Sequence, residues 1–253
     1  MQHIIDVPSF VLVDGFSHRH VGQCSSTNSA LMELPVGHDR SWLTAGTQTQ
    51  GKGRSGRSWT SENGNLFASV RLENPSAPEQ AAGLSFVMAL AARDAICQTA
   101  SGIDAKLKWP NDILIDGMKL AGILLEAMTA PDGDITTVCG IGVNCRHAPA
   151  SQTALYATTS LAARGYLVEP ERLFVHLAKA FAERLSQWDR GKGMASICAD
   201  WKQVSAGIGT QINARAGGTE SHGIFRDITP EGHLLLETKA GVEVITAADI
   251  FLA

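Results

Sequence analysis

Apolar residues along this chain recur at two spacings, and the balance between them shifts toward the C-terminus. In residues 78–100, Ala82, Leu84, Val87, Met88, Leu90, Ala91 and Ile96 follow one another in helical steps, and this segment is the clearest long helix. Residues 160–164 and 170–189 form another helical region, with Pro170 suited to a first turn, where its missing N–H has no partner to lose. Residues 194–201 predict one more helix, and residues 26–34 a short one with Ser26 or Thr27 as N-cap. Strand patterns fall at 3–24 (an entry strand and a loop), 42–46, 65–72 and 136–144, the last an apolar run ending in glycines, as a buried strand does. Within 106–126, Lys106, Lys108, Ile113 and Ile115 precede Leu120 to Leu125, and Asp116-Gly117 between them is a hairpin turn signal. Pro110 cannot donate to a ladder and ends the strand before it. The hairpin brings Lys119 near Asn111 and Asp112.

From Gly207 the pattern becomes short strands with glycine turns, at 210–214, 221–228, 233–238 and 242–247. In Thr229-Pro230-Glu231-Gly232, proline presets one dihedral and glycine permits another. Four or five strands in so short a stretch predict a small β-barrel. The expected class is α+β. Residues 1–205 form one domain with a mixed sheet and helices mainly on one face, and residues 206–253 form the barrel. The chain contains no internal repeat and no low-complexity tract.

Composition narrows the function. The 253 residues are 44% hydrophobic, enough for a sizeable core, and 21 basic against 25 acidic residues leave a net charge of −4. That balance opposes general nucleic-acid binding, which shows as a basic domain. No apolar run reaches the ~18 residues of a membrane span, and no charged-then-apolar leader opens the chain. Five cysteines without framework spacing fit a reducing cytoplasm. Among the histidines, His18 and His20 are the best-spaced pair, and the set lacks convincing metal-ligand spacing.

Two segments carry chemistry. The run from Gly51 to Trp59 alternates glycines with Lys52, Arg54 and Arg57. Glycine lets a backbone approach a ligand closely, arginine binds oxyanions with a planar fork, and the indole offers a flat face to a base. It is not a Walker loop, because the G-x-x-x-x-G-K-[ST] spacing is absent. A solvated basic turn explains it equally well when it is taken alone. The second segment runs from Lys106 to Glu126 and contains Lys-Trp-Pro-Asn-Asp at 108–112, then Lys119 and Gly122. Taken alone, Lys119 is an exposed strand lysine and Asn111-Asp112 an ordinary turn.

Together these segments resemble the biotin protein ligases. That family carries a G-R-G-R-x-G-R-x-W loop, a K-W-P-N-D motif and, seven residues after its Asp, a lysine followed by L-x-G-I-L. Here these read Gly51 to Trp59, Lys108 to Asp112, and Lys119 to Leu124. Ser26-Thr27-Asn28 matches the family's S-T-N, and Gly140 to Asn144 matches its G-x-G-[IV]-N. The resemblance is strong over roughly residues 20–150. Lys52 stands where many members have arginine, which keeps the charge and loses the fork. Ser55 replaces a further arginine of some members.

The resemblance implies a biotin/lipoate ligase-like catalytic domain followed by an SH3-like C-terminal barrel. It implies an ATP-dependent, cytoplasmic ligase, monomer or homodimer, that forms biotinyl-5′-AMP and passes biotin to a lysine of the biotin carboxyl carrier protein of acetyl-CoA carboxylase. Biotin contacts fall to Ser26, Thr27, Asn28, Gln48, Gly51, Lys52, Gly53, Arg54, Lys119, Gly122 and Gly142. The nucleotide falls to Arg57, Trp59, Lys108, Asn111, Asp112 and Asn144, with Lys119 and Arg54 catalytic. Mg²⁺ enters with ATP, and Asp112 is its candidate carboxylate, directly or through water. The basic loop is expected to be mobile, its cations repelling one another until an anion arrives. Some bacterial members carry a winged helix-turn-helix before the S-T-N motif. Only 25 residues precede Ser26 here, so a monofunctional ligase without DNA binding is expected. Two other readings remain. A lipoate ligase typically shows R-R-x-S-G-G-G, which is absent, and octanoyl transfer needs a nucleophilic cysteine in a recognisable motif. A non-enzymatic nucleic-acid module is opposed by the acidic balance.

Overall fold

The computed structural model describes residues 10–11, 15–149, 157–216 and 218–252. Most of the expected entry segment before residue 15 lies outside the described residues. Strands β1 (Phe10–Val11), β2 (Ser17–Cys24), β3 (Ser41–Gln48), β4 (Leu66–Glu73), β5 (Ala105–Lys108), β6 (Asp112–Ile115), β7 (Met118–Thr129) and β8 (Ile135–Val143) form one mixed sheet. Its order is β1-β2-β3-β4-β8-β7-β6-β5, with β2 and β3 parallel and every other pair antiparallel. The helices are α1 (Thr27–Met32), α2 (Leu84–Thr99), α3 (Pro170–Trp188) and α4 (Met194–Gln203).

Strand alternation sorts the sheet into two faces. Trp42, Ala68, Val70, Cys139 and Ile141 turn to one side and join α2 and α3 in the main core. The segment Pro78–Thr99 is apolar and long enough to cross a membrane, yet most of it is buried in this core. On the opposite side Leu43 and Val138 pack under Leu31 of α1 in a separate cluster. One short helix therefore covers only part of that face.

The central hairpin follows the sequence. Asp116 and Gly117 both have positive φ (48° and 74°), as a two-residue hairpin turn needs. As the proline requires, a separate strand, β5, ends before Trp109-Pro110, and the two hairpin strands β6 and β7 follow it. After α4 the chain forms β9 (Gln211–Ala216), β10 (Thr219–Ile228), β11 (Leu234–Thr238), β12 (Gly241–Ile245) and β13 (Asp249–Leu252). These make an antiparallel sheet ordered β12-β11-β10-β9-β13, an SH3-like module. Its inner residues Ile212, Phe225, Leu234 and Ile250 belong to the main core. Trp109 Nε1 donates to Gly232 O at 2.9 Å, and Leu107 exchanges backbone hydrogen bonds with Val204 and Ala206. The module is thereby set against the end of the first sheet that carries Asn111 and Asp112.

Candidate functional site

The bare part of the α1 face is a cleft of about 380 Å³. Gly122 of β7 pairs directly with Gly142 of β8, and Gly140 lies opposite both Leu124 and Ser69. Three glycines on one face of neighbouring strands leave a floor without side chains, and other groups occupy that space. A Cβ at Gly142 would lie 2.5 Å from the Trp59 indole, and one at Gly140 would lie 2.1 Å from Asn28 Oδ1. Larger residues would therefore displace cleft side chains.

At the α1 end the groups facing the cleft, from Ser26 to Asn28 with Gln48 and Ser69, are polar and neutral, with the Glu126 carboxylate behind Asn28. Ser26 caps the helix, and Ser26, Thr27 and Asn28 are all buried. Gln48 Oε1 accepts from Thr27 N–H (2.8 Å) and from Thr27 Oγ1 (3.1 Å), while Gln48 Nε2 donates to Ser61 Oγ (3.2 Å). Ser69 of β4, wholly buried, reaches Thr27 Oγ1 at 2.7 Å and Asn28 Oδ1 at 2.6 Å.

At the other end the groups are charged. Lys119 Nζ lies 2.6 Å from Asp112 Oδ1 and 5.4 Å from the centre of the Trp59 ring. Asn111 is locked to β7, its Nδ2 donating to Ile123 O (2.7 Å), and its Oδ1 accepts from Arg54 (3.1 Å). The basic loop closes on itself through Gly53 N–H to Arg57 O (2.7 Å) and Trp59 N–H to Gly51 O (2.8 Å). Its cations do not face one another unscreened. Arg57 holds Asp249 in a two-pronged contact (2.9 and 3.1 Å), Arg54 lies 3.7 Å from the same carboxylate, and Lys52 lies 3.4 Å from Glu126. Burial pushes the Asp249 carboxyl up, but Arg57, Arg54 and Lys108 outweigh it and hold it below its ordinary range. Burial lowers the Arg54 guanidinium, with Asp249 and Asp112 opposing.

Most of the residues expected from sequence line this one cleft. Ser26, Thr27, Asn28 and Gln48 stand at one end, and Lys52, Gly53, Arg54, Arg57 and Trp59 come from the loop. Asn111, Asp112, Lys119, Gly122, Gly142 and Asn144 complete the wall. Two do not line it. Gly51 is buried, and a Cβ there would run into the backbone oxygen of Trp59. Lys108 is buried behind Asp112 with its ammonium 6.0 Å from the Phe251 ring, and burial pulls its pKa down to about 8, Asp112 opposing. Sequence reasoning missed Ser69, Glu126 and Asp249. Among the described residues, Trp59 Nε1 and Asn144 Oδ1 are buried without a hydrogen-bond partner, and both belong to cleft-lining residues. Buried polar atoms are seldom left so.

The cleft is thus two-ended, neutral and polar beside α1 and cationic at the other end, on a mixed sheet joined to an SH3-like module. Residues 22–144 match the Biotin/lipoate A/B protein ligase family and residues 207–253 the biotin protein ligase C-terminal domain. A biotin--[acetyl-CoA-carboxylase] ligase of Paracoccus denitrificans is 40% identical over 91% of this chain and 98% of its own length. The bifunctional ligase/repressor BirA of Bacillus subtilis is 32% identical over 90% of this chain and 71% of its own length. A solved biotin protein ligase from Aquifex aeolicus, in complex with biotin and ATP, superposes with a TM-score of 0.79 at 25% identity, covering 93% of this chain and 98% of that one. The chain belongs to the biotin protein ligase family.

Proposed function

We propose that this cleft performs both steps of biotin attachment. Biotin's carboxylate attacks the α-phosphate of ATP, giving biotinyl-5′-AMP and pyrophosphate. An uncharged lysine amine of the acceptor then attacks the mixed anhydride and releases AMP. The acceptor is the biotin carboxyl carrier protein of acetyl-CoA carboxylase, in keeping with the activity of the Paracoccus relative. The observation that carries this reading is the convergence of Gln48, Arg54 and Lys119 on one cleft from separate strands and a loop.

Each residue's part follows from its chemistry. Thr27, Asn28 and Gln48 offer the hydroxyl and amides that a ureido ring needs, and Gly122 and Gly142 keep the floor free of side chains of its own. Arg54 and Lys119 stand where carboxylate and α-phosphate meet and stabilise the charge that builds on phosphorus. Arg57 takes phosphate, and Trp59 forms a wall beside adenine. Asn111 and Asn144 orient the nucleotide. Lys108, buried behind Asp112, acts through that carboxylate. Magnesium takes one or two carboxylates together with phosphate oxygens, so Asp112 fits as its protein ligand when the ion arrives with ATP. The ion would supply further neutralisation of phosphate charge.

Incorporation of labelled biotin into the purified carrier domain tests this reading. ATP-dependent label on the carrier lysine is expected. Label from lipoate or octanoate in its place would move the protein to the other branch of the fold.

A further inference from the structure

The carboxylate of Glu126 lies at the biotin end of the cleft and joins two elements. On β7 it stands two residues beyond Leu124, facing the α1 side of the sheet. Its Oε2 accepts from Asn28 Nδ2 at 2.9 Å, and its Oε1 lies 3.4 Å from Lys52 Nζ on the basic loop. The other neighbour of the same amide nitrogen is Leu124 O, at 3.3 Å. A carboxylate and a carbonyl are acceptors only, so the Asn28 amide can meet them only with its NH₂. Oδ1 is thereby turned toward the floor, where Ser69 Oγ donates to it at 2.6 Å and where glycine at 140 makes room for it. Ser69 has one hydroxyl proton and two acceptors within reach, Asn28 Oδ1 and Thr27 Oγ1.

We propose that Glu126 is a positioning residue that fixes the hydrogen-bond polarity of the biotin end, presenting Asn28 Oδ1 as the acceptor for a ureido N–H. This rests on the reading of the cleft as a biotin site. A ureido ring has one acceptor and two donors, so an amide facing it the wrong way sets donor against donor. Glutamine in place of Glu126 keeps the size and adds a donor, so the Asn28 amide is no longer held in one sense. Lys52 shares the carboxylate and ties the loop to the same point.

Calorimetric titration with biotin, and with an analogue methylated at the ureido nitrogens, tests the proposal in the wild type, Glu126→Gln, Glu126→Asp and Lys52→Met. Glu126→Gln should weaken biotin roughly tenfold, as loss of a charge-assisted hydrogen bond does. It should also shrink the preference for biotin over the methylated analogue and leave the KM for ATP within about twofold. Glu126→Asp keeps acceptor-only chemistry and should retain the preference even if affinity falls. Unchanged biotin affinity in Glu126→Gln overturns the proposal, and so does equal weakening for both ligands. A Lys52→Met variant that reproduces the loss of preference overturns it too, since the loop cation would then be the cause. If the wild type binds no biotin, the reading of the cleft fails instead.

Discussion

Replacing Lys119 with alanine separates the chemistry of the cleft from its stability. The ammonium lies 2.6 Å from an Asp112 carboxylate whose side chain is only 6% exposed, while Lys119 itself is 21% exposed. Two losses follow. Removing a fixed cation from the reacting centre costs about 10²–10³ in rate, on the scale of a lost oxyanion donor. Leaving Asp112 buried without that partner costs stability. Breaking a fully buried pair typically costs about 3–5 kcal/mol, and the partial exposure of Lys119 brings the expectation here to about 1–3 kcal/mol. Asp112→Asn in the Lys119→Ala background relieves that carboxylate but takes a counter-charge from buried Lys108, so the double variant should regain only part of the thermal midpoint and none of the rate. Biotin-dependent pyrophosphate exchange reads the first loss, thermal unfolding the second, and calorimetry should find biotin affinity reduced less than the rate. Exchange near the wild-type rate in Lys119→Ala would refute this role for the lysine.

Three more outcomes are expected. Asp249→Ala frees Arg57 and Arg54 from their shared carboxylate, so hydrogen exchange in residues 50–58 should quicken in the ligand-free protein and the KM for ATP should rise. Unchanged exchange would mean that the backbone closure of the loop suffices. Gly140→Ala places a methyl where Asn28 Oδ1 now sits and should weaken biotin by about tenfold or more, through a forced rotamer and a lost acceptor; an unaltered calorimetric titration would contradict the floor assignment. His18 is held down at about 4 by burial and by neighbouring His20. Its folded pKa lies below its unfolded value of ~6.5, so the unfolded chain takes up the proton first and stability falls as pH drops from about 6.5 to 4. The thermal midpoint of His18→Gln should fall less steeply across that window, and parallel pH profiles would rule His18 out as a source of acid sensitivity.

Local signals were legible and long-range partners were not. Asp116-Gly117 announced its hairpin because two adjacent positive φ angles leave few residue choices. The glycine spacing at 140 and 142 is visible in sequence, but its meaning depends on Gly122 lying across the ladder. Loop repulsion was expected because only the loop's own charges can be read from the run Gly51 to Trp59. Its counter-charges sit 74 residues away at Glu126 and 192 residues away at Asp249. Asp249 belongs to β13, a four-residue strand at the end of the chain that is too short for a periodicity signal. Ser69 sits in a strand whose alternation is clear, yet nothing local separates a buried hydroxyl over a cleft from one in a core. Lys108 falls in a matching motif and shares a face with Asp112, but it sits one strand further out, where it is buried.

The most direct test of the central claim is exchange of labelled pyrophosphate into ATP by the purified chain, with biotin, lipoate and octanoate supplied separately. A cleft that activates biotin's carboxylate as an adenylate should support exchange with biotin alone and lose it in Lys119→Ala. Exchange supported by lipoate or octanoate but not by biotin would contradict the account.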